Sequence, residues 1–169
     1  MRNIILILAV FPLTLSLESK AEAQGVLTAS AGTVAEDSAS SKNKTYAVAI
    51  GGMGAHNIGS ELEFSKTHLK DRQSKIYTLT AGVFVAIPLK KIHPYITFGY
   101  GFIAQRSEYD TGSIFANLSK KDVGYSAGGG ITYKFLKHAG IRADLRHFKV
   151  RRADGVGFRR FLVGFVLSS

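Results

Sequence analysis

Residues 95–105 read YITFGYGFIAQ, and this short stretch decides the fold class. Side chains of an extended chain alternate between two sides with a period of two. Ile96, Phe98, Tyr100, Phe102 and Ala104 therefore share one face, and Tyr95, Thr97, Gly99, Gly101 and Ile103 share the other. The first face is large and apolar, the second mostly small, and helical spacing is absent. The stretch predicts a β-strand with two unlike surroundings.

The same split recurs outward along the chain. Over 123–135, Val123, Tyr125, Ala127, Gly129, Ile131, Tyr133 and Phe135 oppose Gly124, Ser126, Gly128, Gly130, Thr132 and Lys134. Near the end, Phe161, Val163, Phe165 and Leu167 oppose the mixed set Arg160, Leu162, Gly164, Val166 and Ser168. Gly, Tyr, Phe, Val and Thr dominate from Tyr46 onward, as expected of an all-β chain. Strands of about ten residues exceed the usual five or six of soluble proteins and match a tilted strand crossing a hydrocarbon layer. The apolar faces would then meet lipid, with Tyr and Phe near the strand ends as interfacial girdles, and the small and polar faces would point inward.

The inward face carries the most informative chemistry. Gly140, Arg142, Asp144, Arg146 and Phe148 alternate with Ala139, Ile141, Ala143, Leu145 and His147, so three charges share one side. A lipid-facing Arg-Asp-Arg row would be costly. Over 59–67, Glu61 and Glu63 lie opposite Leu62 and Phe64. Because unpaired buried charges are expensive, Glu61, Glu63, Arg142, Asp144 and Arg146 are expected to form an ion-pair network filling a narrow lumen.

Seven strands are expected at 46–55, 58–67, 76–87, 95–106, 123–135, 139–150 and 158–167. Their connections alternate in length: tight at His56 and Asn57, longer around Lys70, short through Pro88 and Pro94, long over 107–122, short over 136–138, and longer over 151–157. Short turns at one end and longer loops at the other are the habit of transmembrane barrels, the short turns being periplasmic. Parity then requires an eighth strand from 25–35, with 36–44, rich in Ser, Lys and Asn, as the first external loop. A single antiparallel up-and-down transmembrane β-barrel of eight strands, too narrow for an open channel, results.

The beginning of the chain sets the compartment. Arg2 precedes an apolar run from Ile4 to Leu17, interrupted only at Thr14 and Ser16, and Ala21-Glu22-Ala23 has the small-x-small form of a signal-peptidase site. Residues 1–23 are expected to be a cleaved signal peptide and 24–169 the barrel domain. The apolar run falls short of the ~20 residues of a spanning helix, and nothing after it approaches that length. The 169-residue chain, one domain in size, has no cysteine, which excludes disulfides, thiolate metal sites and a cysteine nucleophile.

The formal net charge of +10 survives cleavage, because Arg2 and Lys20 balance Glu18 and Glu22. Behind a signal peptide such basicity points to lipid phosphates, lipopolysaccharide or acidic polysaccharide, and no nucleic-acid partner is expected. Lys70, Arg72, Lys75, Arg106, Lys120, Lys121, Arg151 and Arg152 would form an outer rim suited to lipopolysaccharide phosphates. Lys90, Lys91, Lys137 and His138 lie on the opposite turns.

Catalytic and cofactor signatures are lacking. The glycines of 124–130 sit within a strand pattern with no helix to follow, against a phosphate-cradling loop. His56, His68, His93, His138 and His147 lack the i, i+4 helical spacing of a zinc site. His68 near Ser65 and Ser74, or His147 with Asp144, are the only hydrolytic pairings to consider, and the second places its members on opposite faces. The chain is expected to be neither an enzyme nor a cofactor protein.

The segments 59–64 (GSELEF), 94–101 (PYITFGYG), 128–133 (GGGITY) and 140–148 (GIRADLRHF) together resemble the small outer-membrane β-barrels, the OmpA-like and OmpX-like barrel domains, over nearly all of the mature region. The resemblance implies residence in the bacterial outer membrane, insertion by the barrel assembly machinery, and a structural, adhesive or surface-interaction role without shared catalytic residues. One departure stands out: such barrels usually end on an aromatic residue, whereas this chain ends Leu167-Ser168-Ser169. Two other readings make different predictions. A soluble lipocalin-like barrel would turn its apolar faces inward around a ligand, and a lipid-A-modifying enzyme would gather Ser, His and a carboxylate at the rim.

Overall fold

A computed structural model describes residues 24–36, 43–69, 74–107, 122–151 and 157–169. The expected signal peptide lies outside the described residues. Eight strands follow in chain order: β1 (Gln24–Glu36), β2 (Asn43–Met53), β3 (Ile58–Leu69), β4 (Ser74–Ala86), β5 (Ile92–Ser107), β6 (Asp122–Lys134), β7 (Ala139–Val150) and β8 (Gly157–Ser168). Each pairs antiparallel with the next, and β8 closes on β1. The strand inferred by parity is β1, paired along its length with both β2 and β8.

The register fixes the barrel's shape. Stepping across the strands from Val26 leads to Gly51, Glu61, Gly82, Gly99, Ser126, Phe148 and Phe158, and then back to β1 at Glu36. The circuit returns ten residues further along (36 minus 26). With ~3.3 Å per residue and ~4.8 Å between strands, that stagger tilts eight strands by about 41° from the barrel axis. The tilt lies in the range seen for membrane barrels, and eight strands leave an interior that side chains can fill.

Side-chain polarity is the reverse of a soluble protein's. Ile96 (69% exposed), Phe165 (67%) and Ile50 (60%) stand on the outer wall, whereas Arg160 (1%) and Glu63 (3%) are buried inside. This overturns the lipocalin-like orientation, which needs those apolar faces inside. Tyr46, Tyr100 and Tyr125 face outward on the half nearer the long loops, and Tyr133 and Phe135 face outward at the other end.

Several boundaries differ from expectation. Asn43 and Lys44 belong to β2, since Lys44 pairs with both Thr33 and His68, so the first loop is shorter than 36–44. Strand β2 stops at Met53, and a turn follows in which Gly54 N–H donates to Ile58 O at 2.9 Å. His56 and Asn57 take left-handed φ of 61° and 60° there, a conformation Asn tolerates well. Pro94 lies within β5, near its start, where a missing ladder donor does least harm.

The lumen is layered along its axis. Toward the long loops, Val34, Ile103, Phe148 and Phe158 form an apolar cluster flanked by Ile76 and Val150, with the Phe148 and Phe158 rings stacked 4.8 Å apart. Charged residues occupy the middle. Toward the short turns, Val26, Met53, Phe84, Ala86 and Val166 line a cavity of about 50 Å³ with Gln24, His93, Thr132 and Lys134.

Candidate functional site

The charged layer is built by strand parity. On β7, alternation turns Arg142, Asp144 and Arg146 inward while Ile141, Leu145 and His147 face out. On β3 it turns Glu61, Glu63, Ser65 and Thr67 inward. Strands β3 and β7 are four apart in a ring of eight, so these rows face each other across the lumen. Gly128 and Gly130 on β6 make the space. A Cβ on Gly130 would lie 2.5 Å from Tyr95 Oη, and one on Gly128 would lie 3.0 Å from Arg146 Cγ.

Glu61 receives two guanidinium groups: Arg142 Nη1 donates to Oε2 at 2.6 Å and Arg146 Nη2 to Oε1 at 2.5 Å. Arg146 Nε lies 2.9 Å from Asp144 Oδ1, and its Nη1 lies 3.6 Å from Glu63 Oε2. Arg142 Nη2 reaches Asp144 Oδ2 at 3.4 Å. All five residues that the sequence marks for the lumen are thus brought together.

Two further residues complete the network. Arg160 on β8 places Nη2 2.7 Å from Glu63 Oε1, and its Nη1 donates to Ser65 Oγ at 3.2 Å. Its guanidinium also lies over the Phe148 ring at 4.7 Å, joining the charged layer to the apolar cluster. Tyr95 accepts from Arg142 Nε at 2.6 Å and donates to Asp144 Oδ2 at 2.5 Å, while Arg142 packs over its ring at 4.3 Å. Both were legible as inward by parity. Arg160 was obscured because its face also carries Leu162 and Val166, and Tyr95 because its position at the strand end suits an interfacial tyrosine.

Three guanidinium groups and three carboxylates therefore interlock, with formal charges that cancel. Charge-assisted contacts between opposite walls, with Glu61 bridging Arg142 and Arg146, brace the barrel and occupy its centre. Such an arrangement can hold a lumen closed.

The expected rim is only partly within the described residues. Lys75 faces outward near the start of β4, and Arg151 is exposed just beyond β7, its N–H donating to Val123 O at 2.9 Å. Arg106 lies in β5 opposite Lys75, but its side chain, like Lys70, Arg72, Lys120, Lys121 and Arg152, lies outside the described residues. Other cations stand outward from the strands themselves: Lys44 on β2, Lys66 and His68 on β3, and Lys149 and Arg159 on β7 and β8. The sequence reading sought rim cations in loops and passed over these.

The hydrolytic pairings come apart. Ser65 is buried in the lumen while His68 faces out, and His147 faces out while Asp144 is buried. The side chain of Ser74 lies outside the described residues. Among the described residues no three His, Asp or Glu side chains converge as metal ligands.

The chain is similar in fold to solved outer-membrane proteins, among them the following three. Neisserial surface protein A (NspA) is 12% identical, with 88% of this chain and 99% of that one covered at a TM-score of 0.69. The N-terminal β-barrel domain of Pseudomonas aeruginosa OprF is 16% identical, with 88% and 100% covered at 0.57. The Yersinia pestis attachment invasion locus protein Ail, solved with the heparin analogue sucrose octasulfate, is 14% identical, with 88% and 99% covered at 0.56. At these identities the likeness speaks for the fold. No curated protein sequence matches the chain. The model of the outer membrane protein beta-barrel domain family matches residues 4–168, so the chain belongs to that family and resides in the bacterial outer membrane.

Proposed function

We propose that this barrel is a closed, non-catalytic element of the outer membrane with a structural, adhesive or surface-interaction role, presenting its loops and outer rim while its lumen serves as a brace. The observation that carries this reading is the neutral network of Glu61, Glu63, Asp144, Arg142, Arg146 and Arg160, which ties β3 to β7 and β8 through the centre. The apolar cluster beside it closes the lumen toward the long loops. The likeness to Ail, an attachment invasion protein, favours surface interaction over transport. Outer-membrane lipid, including lipopolysaccharide at the basic rim, is the partner this reading expects, and the barrel assembly machinery is its route of insertion.

The test is reconstitution of the purified barrel in planar bilayers, together with mass analysis of lipid A from cells with and without the protein. Membranes holding the barrel should show no steady conductance steps, and lipid A should keep its mass. Stable ohmic steps would overturn the closed-lumen reading. A protein-dependent loss of an acyl chain or phosphate would replace it with the lipid-A-modifying enzyme.

A further inference from the structure

Two neighbouring turns at the short-turn end are built alike. Residues 87–92 read IPLKKI and lead from β4 into β5, and residues 135–138 read FLKH and join β6 to β7. Each sets large apolar side chains beside lysine, and all of them are exposed: Ile87, Leu89 and Ile92 with Lys90 and Lys91 on the first, Phe135 and Leu136 with Lys137 on the second. The turns are held side by side, since Lys134 N–H donates to Lys91 O at 2.8 Å and Ile92 pairs with Tyr133. The third turn at this end, residues 54–57 (GAHN), has neither a lysine nor a large apolar residue.

The backbone singles out Lys90. Leu89 and Ile92 exchange hydrogen bonds of 2.9 and 2.8 Å across Lys90 and Lys91, closing a two-residue hairpin loop in which Lys90 takes a φ of 50°. Positive φ at the first central residue of such a loop is the ordinary place of glycine. A lysine kept there against its backbone preference points to a use for its side chain. Height decides what that side chain meets. Tyr133 and Phe135 belong to the girdle that marks the membrane interface at this end, and Ile92 is level with Tyr133. Lys90, Lys91 and Lys137 come directly after these residues, at the level of headgroup phosphates, with Leu89 and Leu136 beside them. Short turns are periplasmic, so the leaflet they meet is the inner one, made of glycerophospholipid. The two turns stand two strand spacings, about 10 Å, apart around the barrel.

We infer that these turns form a site for a glycerophospholipid with two phosphates joined through one glycerol, the cardiolipin type. One phosphate lies on Lys90 and Lys91 and the other on Lys137, while the acyl chains run over Leu89, Ile92, Phe135 and Leu136. A lipid with one phosphate can satisfy only one of the turns. The site rests on residence in the outer membrane and not on the closed lumen, so a conducting barrel or an altered lipid A would leave it standing.

The experiment mixes the full-length protein, purified from outer membranes in detergent, with tetraoleoyl cardiolipin or dioleoyl phosphatidylglycerol and reads retained lipid by native mass spectrometry. At equal phosphate concentration cardiolipin should be retained at least about fivefold better, since it engages at least one more cation. K90G should lower cardiolipin retention about fivefold, the share of one cation near anionic lipid. Its urea midpoint in phosphatidylcholine vesicles should meanwhile hold or rise, because glycine takes a positive φ freely. K90G/K91Q/K137Q should lower retention at least about tenfold, and K91R/K137R, which keeps the charges, should retain cardiolipin like the native protein. Should the triple variant fail to fold, as judged by loss of heat-modifiable migration, K90G and K137Q singly should each lower retention about fivefold. The proposal is overturned if the folded variants retain cardiolipin like the native protein, if phosphatidylglycerol is retained equally well, or if K91R/K137R loses as much as the triple variant.

Discussion

At the residue scale, Arg160 and Glu63 show why parity matters more than residue type. Arg160 lies beside Arg159, and a shift of one residue would send its charge into lipid while turning Arg159 into the lumen. Its burial is tolerable because Glu63, Ser65 and the Phe148 face all meet it. Removing one partner of a buried pair leaves an uncompensated charge, at a cost of roughly 3–5 kcal/mol. Arg160→Met should therefore destabilise the barrel by about 3 kcal/mol, the low end, since Arg146 still lies near Glu63. Adding Glu63→Gln should recover a large part of that loss. Urea titration in lipid vesicles, followed by electrophoretic mobility because the chain has no Trp, measures both. Equal stability of the single and double variants would mean that the pair contributes no coupling.

At the element scale, each strand is specified by its two faces. Strand β2 is the plainest case: Asn43, Thr45, Ala47 and Ala49 are buried, while Lys44, Tyr46, Val48 and Ile50 are exposed. Val48 sits midway along it, where the wall meets the centre of the hydrocarbon. Val48→Arg should cost about 2–4 kcal/mol in vesicles, as a cation does at the midplane, whereas Lys149→Arg near the interface should be close to neutral. Comparable costs at the two positions would place the membrane elsewhere on the wall. The strand hardest to read was β1, whose outward residues beyond Leu27 are Ala29, Ala31, Thr33 and Ala35, too small to mark a lipid face. Counting turns supplied it, because an even number of strands returns both ends of the barrel to the same side.

For the whole molecule, closure and internal bracing should resist detergent unfolding. The eight-strand hydrogen-bonded ring has no free edge, since β1 bonds to both β2 and β8. Outer-membrane fractions should yield a band whose mobility changes on boiling, the unboiled form being the compact barrel. A protein found instead in the soluble periplasmic fraction, with mobility insensitive to boiling, would contradict a membrane barrel. The chain ends without a terminal aromatic, yet Ser168 N–H bonds to His138 O at 2.9 Å and Ser169 N–H to Gly25 O at 3.1 Å. Strand β8 is thus held to its last residues by both neighbours.

The sequence by itself determined, for the strands other than β1, which side meets lipid and which side meets the lumen. That information is local: period-two alternation assigns a face to every residue once the segment is known to be extended, and turn lengths assign the ends. It was enough to place Glu61, Glu63, Arg142, Asp144 and Arg146 inside an eight-stranded barrel. Only the tertiary structure decided which charges meet. The ten-residue stagger of the closed ring sets the height of each strand against those across the lumen, and no local pattern encodes it. That stagger brings Glu61 between Arg142 and Arg146, gives Glu63 to Arg160, and lowers Tyr95 from an interface into the charged layer. It also aligns Lys44, His68 and Lys75 on the outer wall, because pairing partners across strands are fixed by register rather than by nearness in the chain.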